Sequence, residues 1–171
     1  VHQHSAAAGG GRAFVVEVAD LLRRPGTRRA VEVSGPLGDL AVSSAHVVDG
    51  SDVEAQVVLE AIGDATVSVT GTVRAGWTGE CRRCLRRVDG TIRGPVQEIF
   101  EAHPVEGETY RLDGDQLDLE PMVREVVLLA LPLAPLCDEG CAGPDPEGHP
   151  LQPGEPTPDE RWAALRDLRF E

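Results

Sequence analysis

Residues 53–73 read VEAQVVLEAIGDATVSVTGTV. Val53, Ala55, Val57 and Leu59 alternate with Glu54, Gln56 and the less regular Val58. After Ile62-Gly63-Asp64 the alternation resumes, with Val67, Val69 and Val73 set against Thr66, Ser68, Thr70 and Thr72. A period of two on both sides of a short Gly-Asp turn predicts an antiparallel hairpin with one buried face. Similar runs lie on either side. Phe14, Val16 and Val18 alternate upstream, and residues 30–33 form a second short run that the Gly and Pro of 34–39 should end. Downstream, Ile92, Val96 and Phe100 carry the pattern past Pro95, whose missing N–H calls for an edge strand or a bulge.

The register then changes. Asp118-Leu119-Glu120-Pro121 has the acids and the early proline of a helix start, and Val123, Val126, Val127 and Ala130 share one helical face. Only Arg124 and Glu125 are charged between residues 122 and 131, so much of this helix should be buried; Pro132 and Pro135 stop it. Six of the thirteen prolines fall within residues 137–158, which excludes regular structure there. Thr157-Pro158-Asp159-Glu160 is a capping-box pattern, followed by Trp162, Leu165 and Leu168 at helical spacing. The expectation is an α+β fold: a curved antiparallel β-sheet over residues 13–101, two C-terminal helices near 119–131 and 158–168, and a Pro-rich loop at 142–157. Residues 1–11, small and Gly-rich, are expected to be a disordered tail, and residues 12–171 a single domain.

The net charge of −13 is uneven. From Arg12 to Arg93 eleven Arg balance eleven acids, whereas from Gly94 onward five Arg face eighteen acids. Such a half repels phosphate backbones and suits a basic protein partner, or simple solubility. No apolar run is long enough to cross a bilayer, and the first residues lack the layout of a secretory leader. A cytoplasmic protein is expected.

The four cysteines fall in two close pairs, Cys81-Arg82-Arg83-Cys84 and Cys137-Asp138-Glu139-Gly140-Cys141. Two sulfurs two residues apart can grip one tetrahedral ion from a tight turn, and a second pair completes a four-thiolate set. In a cytosolic chain this points to structural zinc more than to disulfides. A thioredoxin-type redox pair does not fit, because a strand-like run follows Cys84 where that chemistry needs a helix. Reduced thiols without metal remain the alternative. Arg82, Arg83, Arg86 and Arg87 crowd the same turn. They serve either to offset thiolate charge on a solvated hairpin, the favoured reading, or as a nucleic-acid-binding patch joined by Arg23, Arg24, Arg28 and Arg29. With Trp77 the one aromatic nearby, stacking readout of single-stranded RNA is not supported. No Gly-rich phosphate loop, nucleophile elbow or His–Glu metal motif occurs, and His46 and His103 have no evident partner, so no enzyme is expected.

The Gly-Glu-Cys-Arg-Arg-Cys-Leu segment at 79–85, the Asp-Leu-Glu-Pro-Met-Val-Arg-Glu-Val-Val-Leu-Leu-Ala-Leu-Pro run at 118–132, Pro-Leu-Cys at 135–137 with Cys141, and the closing Arg161-Trp162-Ala163-Ala164-Leu165 resemble the YceD family. That resemblance implies a non-enzymatic accessory factor in large ribosomal subunit biogenesis, supporting accumulation of large-subunit rRNA by binding rRNA or a basic ribosomal protein. The second reading is an acidic protein-interaction or regulatory module with a structural zinc knuckle. A metal-dependent RNA hydrolase ranks last, since no open catalytic metal set is visible. Family members commonly continue past Cys141 with Leu-Cys-x-x-Cys-Gly, where this chain has Pro144-Asp145-Pro146-Glu147-Gly148-His149. Two expected cysteines are therefore missing, and the metal site must either close with the four present or borrow Asp145 or His149.

Overall fold

The computed structural model describes residues 13–63 and 65–144. Eight strands and two helices follow in the order β1 (Val15–Glu17), α1 (Ala19–Leu22), β2 (Arg28–Pro36), β3 (Ala45–Val47), β4 (Asp52–Gly63), β5 (Thr66–Glu80), β6 (Arg87–Glu101), β7 (Tyr110–Asp113), β8 (Gln116–Asp118) and α2 (Glu120–Ala130). The strands form one curled sheet in the order β1-β8-β7-β6-β5-β4-β2, with β3 added beside β5.

The alternation seen in the sequence is the alternation of the sheet. On β4, Val53, Ala55, Val57, Leu59 and Ala61 are buried while Glu54, Gln56 and Val58 face out. Val67, Val69, Val73 and Ala75 do the same on β5. Each such Val or Leu contributes roughly 1.5–3 kcal/mol by leaving water. β5 is the spine: β6 pairs with it along its whole length, and its other edge pairs first with β4 and then, at Trp77–Gly79, with β3. Pro95 lies on β6 opposite Thr72, and the far edge of β6 pairs, among the described residues, only at Phe100 and Glu101. Of the two ways a proline can be housed in a strand, the chain uses an open edge.

Four features differ from the sequence reading: first, a short helix, α1, lies within the stretch read as sheet. The 30–33 run extends to nine residues, because Gly35 and Pro36 still pair with Val53 and Asp52 on β4. The pairing is not wholly antiparallel: β6 and β7 run parallel where Phe100 and Glu101 face Tyr110 and Arg111. The sheet also continues beyond residue 101 into β7 and β8, and β8 recruits β1 from the other end of the chain. Arg29 of β2 reaches back to Asp20 at 3.0 Å and to the Glu17 carbonyl oxygen, tying the two ends of the strand order together. Phe14, Val18, Leu21, Leu117, Leu119 and Met122 fill the interior of the curl.

Helix α2 matches the expected 119–131 segment and lies against β6 and β5. Met122, Val123 and Val127 are buried, with Val126 and Ala130 packed at the margin. Burial is less complete than expected, since Leu129 is 80% exposed. Close approach depends on Gly94, where a Cβ would stand 2.3 Å from Val126 Cγ1. The N-terminal tail, the helix expected at 158–168 and all but the start of the Pro-rich loop lie outside the described residues.

Candidate metal centre

Two turns, separated by more than fifty residues of chain, build the site. The first joins β5 to β6. The Cys81 N–H donates to the Arg86 carbonyl at 2.8 Å, and the Leu85 N–H donates to the Cys81 carbonyl at 2.9 Å. Leu85 takes a left-handed conformation (φ 60°) to make this reversal, which turns Cys81 and Cys84 toward the same side. The second turn follows α2. Leu131 leaves the helix with extended backbone, and Pro132 and Pro135 keep the chain from re-entering it. The chain then turns at Asp138, whose carbonyl accepts from the Cys141 N–H (3.1 Å) while its carboxylate accepts from the Gly140 N–H (2.7 Å).

Polar contacts fasten the second turn to the first. The Arg82 N–H donates to the Pro135 carbonyl at 2.9 Å, and Ser44 Oγ to the Leu133 carbonyl at 2.6 Å. The Arg83 guanidinium donates to the carbonyls of Glu139 (3.1 Å) and Cys141 (2.8 Å). The result brings all four sulfurs within 4.8 Å of one another. Cys81 Sγ lies 3.9 Å from Cys141 Sγ, and Cys84 Sγ 3.6 Å from Cys137 Sγ. Four thiolates about 2.3 Å from a tetrahedral zinc stand roughly 3.8 Å apart, so these two separations bracket what that ion requires. The four cysteines are not joined by disulfides. Four sulfur donors complete a closed structural set without the missing downstream pair. Asp145 and His149 lie outside the described residues.

Electrostatics favour thiolate at the two cysteines of the first turn. Backbone N–H groups of Cys84, Cys137 and Arg83 pointing at Cys81 pull its pKa down to about 5. Arg86 lowers that of Cys84, donating through Nε at 3.4 Å, and its second arm reaches Cys137 Sγ at 3.6 Å. Cys137, hydrogen-bonded to Cys141 and then to Cys84, is pushed up to about 12. A cation entering the cluster must displace any protons the thiols still hold, which makes binding stronger as pH rises.

The arginines of the turn are largely engaged within the molecule. Arg83 clips the second turn, Arg86 bridges two sulfurs, and Arg87 pairs with Asp89 at 3.0 Å. Of these four described arginines, only Arg82 has no partner for its side chain. The other basic group does not join them. Arg28 pairs with Glu60 and Arg29 with Asp20, and Glu60 sits opposite Ser68, twelve residues along β5 from Glu80. At about 3.3 Å per strand residue that is roughly 40 Å from the turn. Trp77 lies flat over Gly90, where a Cβ would stand 2.7 Å from the indole nitrogen, so it packs against the sheet. Sequence reasoning missed Ser44 and Asp138, which position the second turn through backbone groups that no spacing rule reveals.

A hairpin tip and a post-helix turn converging their cysteines is the arrangement whose sequence elements resembled one family, and comparison with known proteins agrees. Residues 69–169 match the family model described as "Large ribosomal RNA subunit accumulation protein YceD". The chain belongs to the YceD family. An uncharacterized protein of Mycobacterium tuberculosis is 33% identical over 170 residues, covering 91% of this chain and 81% of the relative. An uncharacterized protein of Mycobacterium leprae is 30% identical over 168 residues, covering 90% of this chain and 76% of the relative. No solved structure matches the chain at a significant level. The YceD name connects the family with accumulation of large-subunit ribosomal RNA, and among the described residues no helix is long and apolar enough to cross a membrane.

Proposed function

We infer that this YceD-family chain is a cytoplasmic, non-enzymatic accessory factor in large ribosomal subunit biogenesis, acting by contact with rRNA or a basic ribosomal protein. Family membership supports the ribosomal role. The single observation that carries the mode of action is the four-sulfur cluster, which gives a metal four protein donors and so suits a structural ion rather than one with an open position for substrate. Cys81, Cys84, Cys137 and Cys141 would hold zinc and staple the β5–β6 hairpin to the segment after α2. The ion supplies cross-linking there, and the chain's own residues supply the contact surface. Of the arginines read as nucleic-acid-binding, Arg82 is free to meet phosphate, while Arg83, Arg86 and Arg87 have intramolecular partners that such contact would have to share.

Depleting the protein and measuring precursor and mature large-subunit rRNA tests this reading. The expected outcome is loss of mature large-subunit rRNA with a deficit of large subunits; unchanged rRNA and normal subunit profiles reject it. Elemental analysis of the purified chain tests the staple separately, with one zinc per chain expected. The second reading, an acidic protein-interaction module, draws on the excess of acids after Gly94. Affinity capture separates the two, with ribosomal precursors expected under the first and an unrelated regulator under the second.

A further inference from the structure

The four sulfurs are not equivalent. Cys81 and Cys141 are buried, whereas Cys84 and Cys137 are half-buried and share one solvent-facing edge of the cluster. The two outer cysteines come from different turns, fifty-three residues apart in sequence, and their Sγ atoms stand 3.6 Å from each other. Arg86 spans them, with Nε on one and its second arm on the other. A disulfide bond is about 2.05 Å long. Closing the remaining gap of about 1.5 Å is within the reach of side-chain rotation on two surface turns.

We propose that Cys84 and Cys137 are an oxidisable pair, a modification site at which a hydroperoxide converts two metal-bound thiolates into a disulfide between the turns and expels the zinc. The proposal rests on the zinc reading of the cluster. One thiolate attacks a peroxide oxygen: an S–O bond forms, the O–O bond breaks, and hydroxide leaves as water after taking a proton. The other thiolate attacks the resulting sulfenic sulfur: the S–S bond forms, the S–O bond breaks, and the second hydroxide takes a proton. Two thiolates, one hydrogen peroxide and two protons give one disulfide and two waters, with two electrons passing from sulfur to oxygen. Zinc is not oxidised. It leaves because Cys81 and Cys141 retain only two of its four donors.

Exposure selects the first sulfur and proximity selects its partner. Oxidant from solvent meets Cys84 or Cys137 before the buried sulfurs, and the other outer sulfur lies directly beside it. The product replaces one tether with another. The new bond joins the same two turns that the metal joined, so the oxidised chain keeps its cap on the hairpin after the ion has gone. Reduction by a dithiol in the presence of zinc restores the starting state.

The test uses the full chain loaded with zinc, with metal content measured first. Treatment with one equivalent of hydrogen peroxide, followed by a chromogenic zinc chelator and peptide mapping, is expected to show release of about one zinc per chain. It is also expected to show loss of two thiols and a cross-link between the Cys84 and Cys137 peptides. In Cys84→Ser no cross-link should form at that dose, because Cys81 and Cys141 are shielded. Zinc retained through several equivalents, or cross-links confined to Cys81–Cys84 or Cys137–Cys141, overturns the proposal. If the purified chain holds no zinc, the zinc reading fails by itself, and mapping of the same metal-free chain still decides the pairing. A Cys84–Cys137 bond then upholds the oxidisable pair, and any other pattern rejects it.

Discussion

Leu59 and Cys81 are both fully buried, yet what surrounds them differs in kind. Around Leu59, β4 is held by β2 on one side and β5 on the other, and its buried face of Val, Ala and Leu meets mostly Val on its neighbours, with Arg29 of β2 opposite Leu59 and Gly71 of β5 opposite Val57. Around Cys81, the second turn is held by four hydrogen bonds, from Arg82, Arg83 and Ser44, and by the sulfurs themselves. The sheet is a continuous apolar layer in which loss of one side chain is felt locally. The thiol cap has little apolar surface to bury, with Leu133 at 73% and Leu85 at 69% exposed, so it rests on those polar contacts and the clustered sulfurs. One chain thus uses hydrophobic burial to build its body and hydrogen bonds around a cysteine cluster to fasten its tip.

The sharpest way to separate the two regions is to remove a sulfur. Cys141→Ser should weaken zinc binding by more than the 10–100-fold typical of losing an outer-shell partner, about 100-fold or more, and open residues 132–144 to protease. Circular dichroism of the sheet should remain. Leu59→Ala should do the reverse, lowering unfolding free energy by about 2–5 kcal/mol in denaturant titration while zinc per folded chain stays unchanged. Gly94→Ala drives a methyl into Val126 and should cost about 1–3 kcal/mol, with Val126→Ala recovering part of the loss in a double-mutant cycle. Arg83→Ala removes two hydrogen bonds from the cap, and about 1 kcal/mol of local stability should disappear, seen as faster amide exchange at 137–141 with β4 unaffected.

The smallest effect expected is on acid sensitivity. Asp89 has its pKa lowered by the Thr78 hydroxyl first and then by Arg87. A carboxylate depressed in the folded state contributes stability above its ordinary pKa and loses that contribution as pH falls through the depressed value. Asp89→Asn should therefore flatten the stability–pH curve only below the ordinary carboxylate range, and salt should mask the difference because the pair is exposed.

The β4–β5 hairpin and α2 were legible because their signals are local. Alternation through residues 53–73 and the Pro121-initiated apolar face involve neighbours within one or two turns of chain. β7 and β8 were not legible, since strands of four and three residues hold too few side chains to display a period. The cysteines were legible as ligand types, and their spacing named a candidate metal set that the fold brings together. The roles of the arginines were not, because Arg83 acts on carbonyls fifty-six and fifty-eight residues away and any side chain may bear those carbonyls.

Sequence alone settled which segments alternate, where the long helix starts and stops, and that four sulfurs were available as two pairs. Tertiary structure decided that β1 closes on β8, that two turns meet tip to tip, and that Cys84 faces Cys137. The physical reason is range: periodicity is written into adjacent residues, whereas which distant turns touch depends on how the sheet curls and where α2 ends.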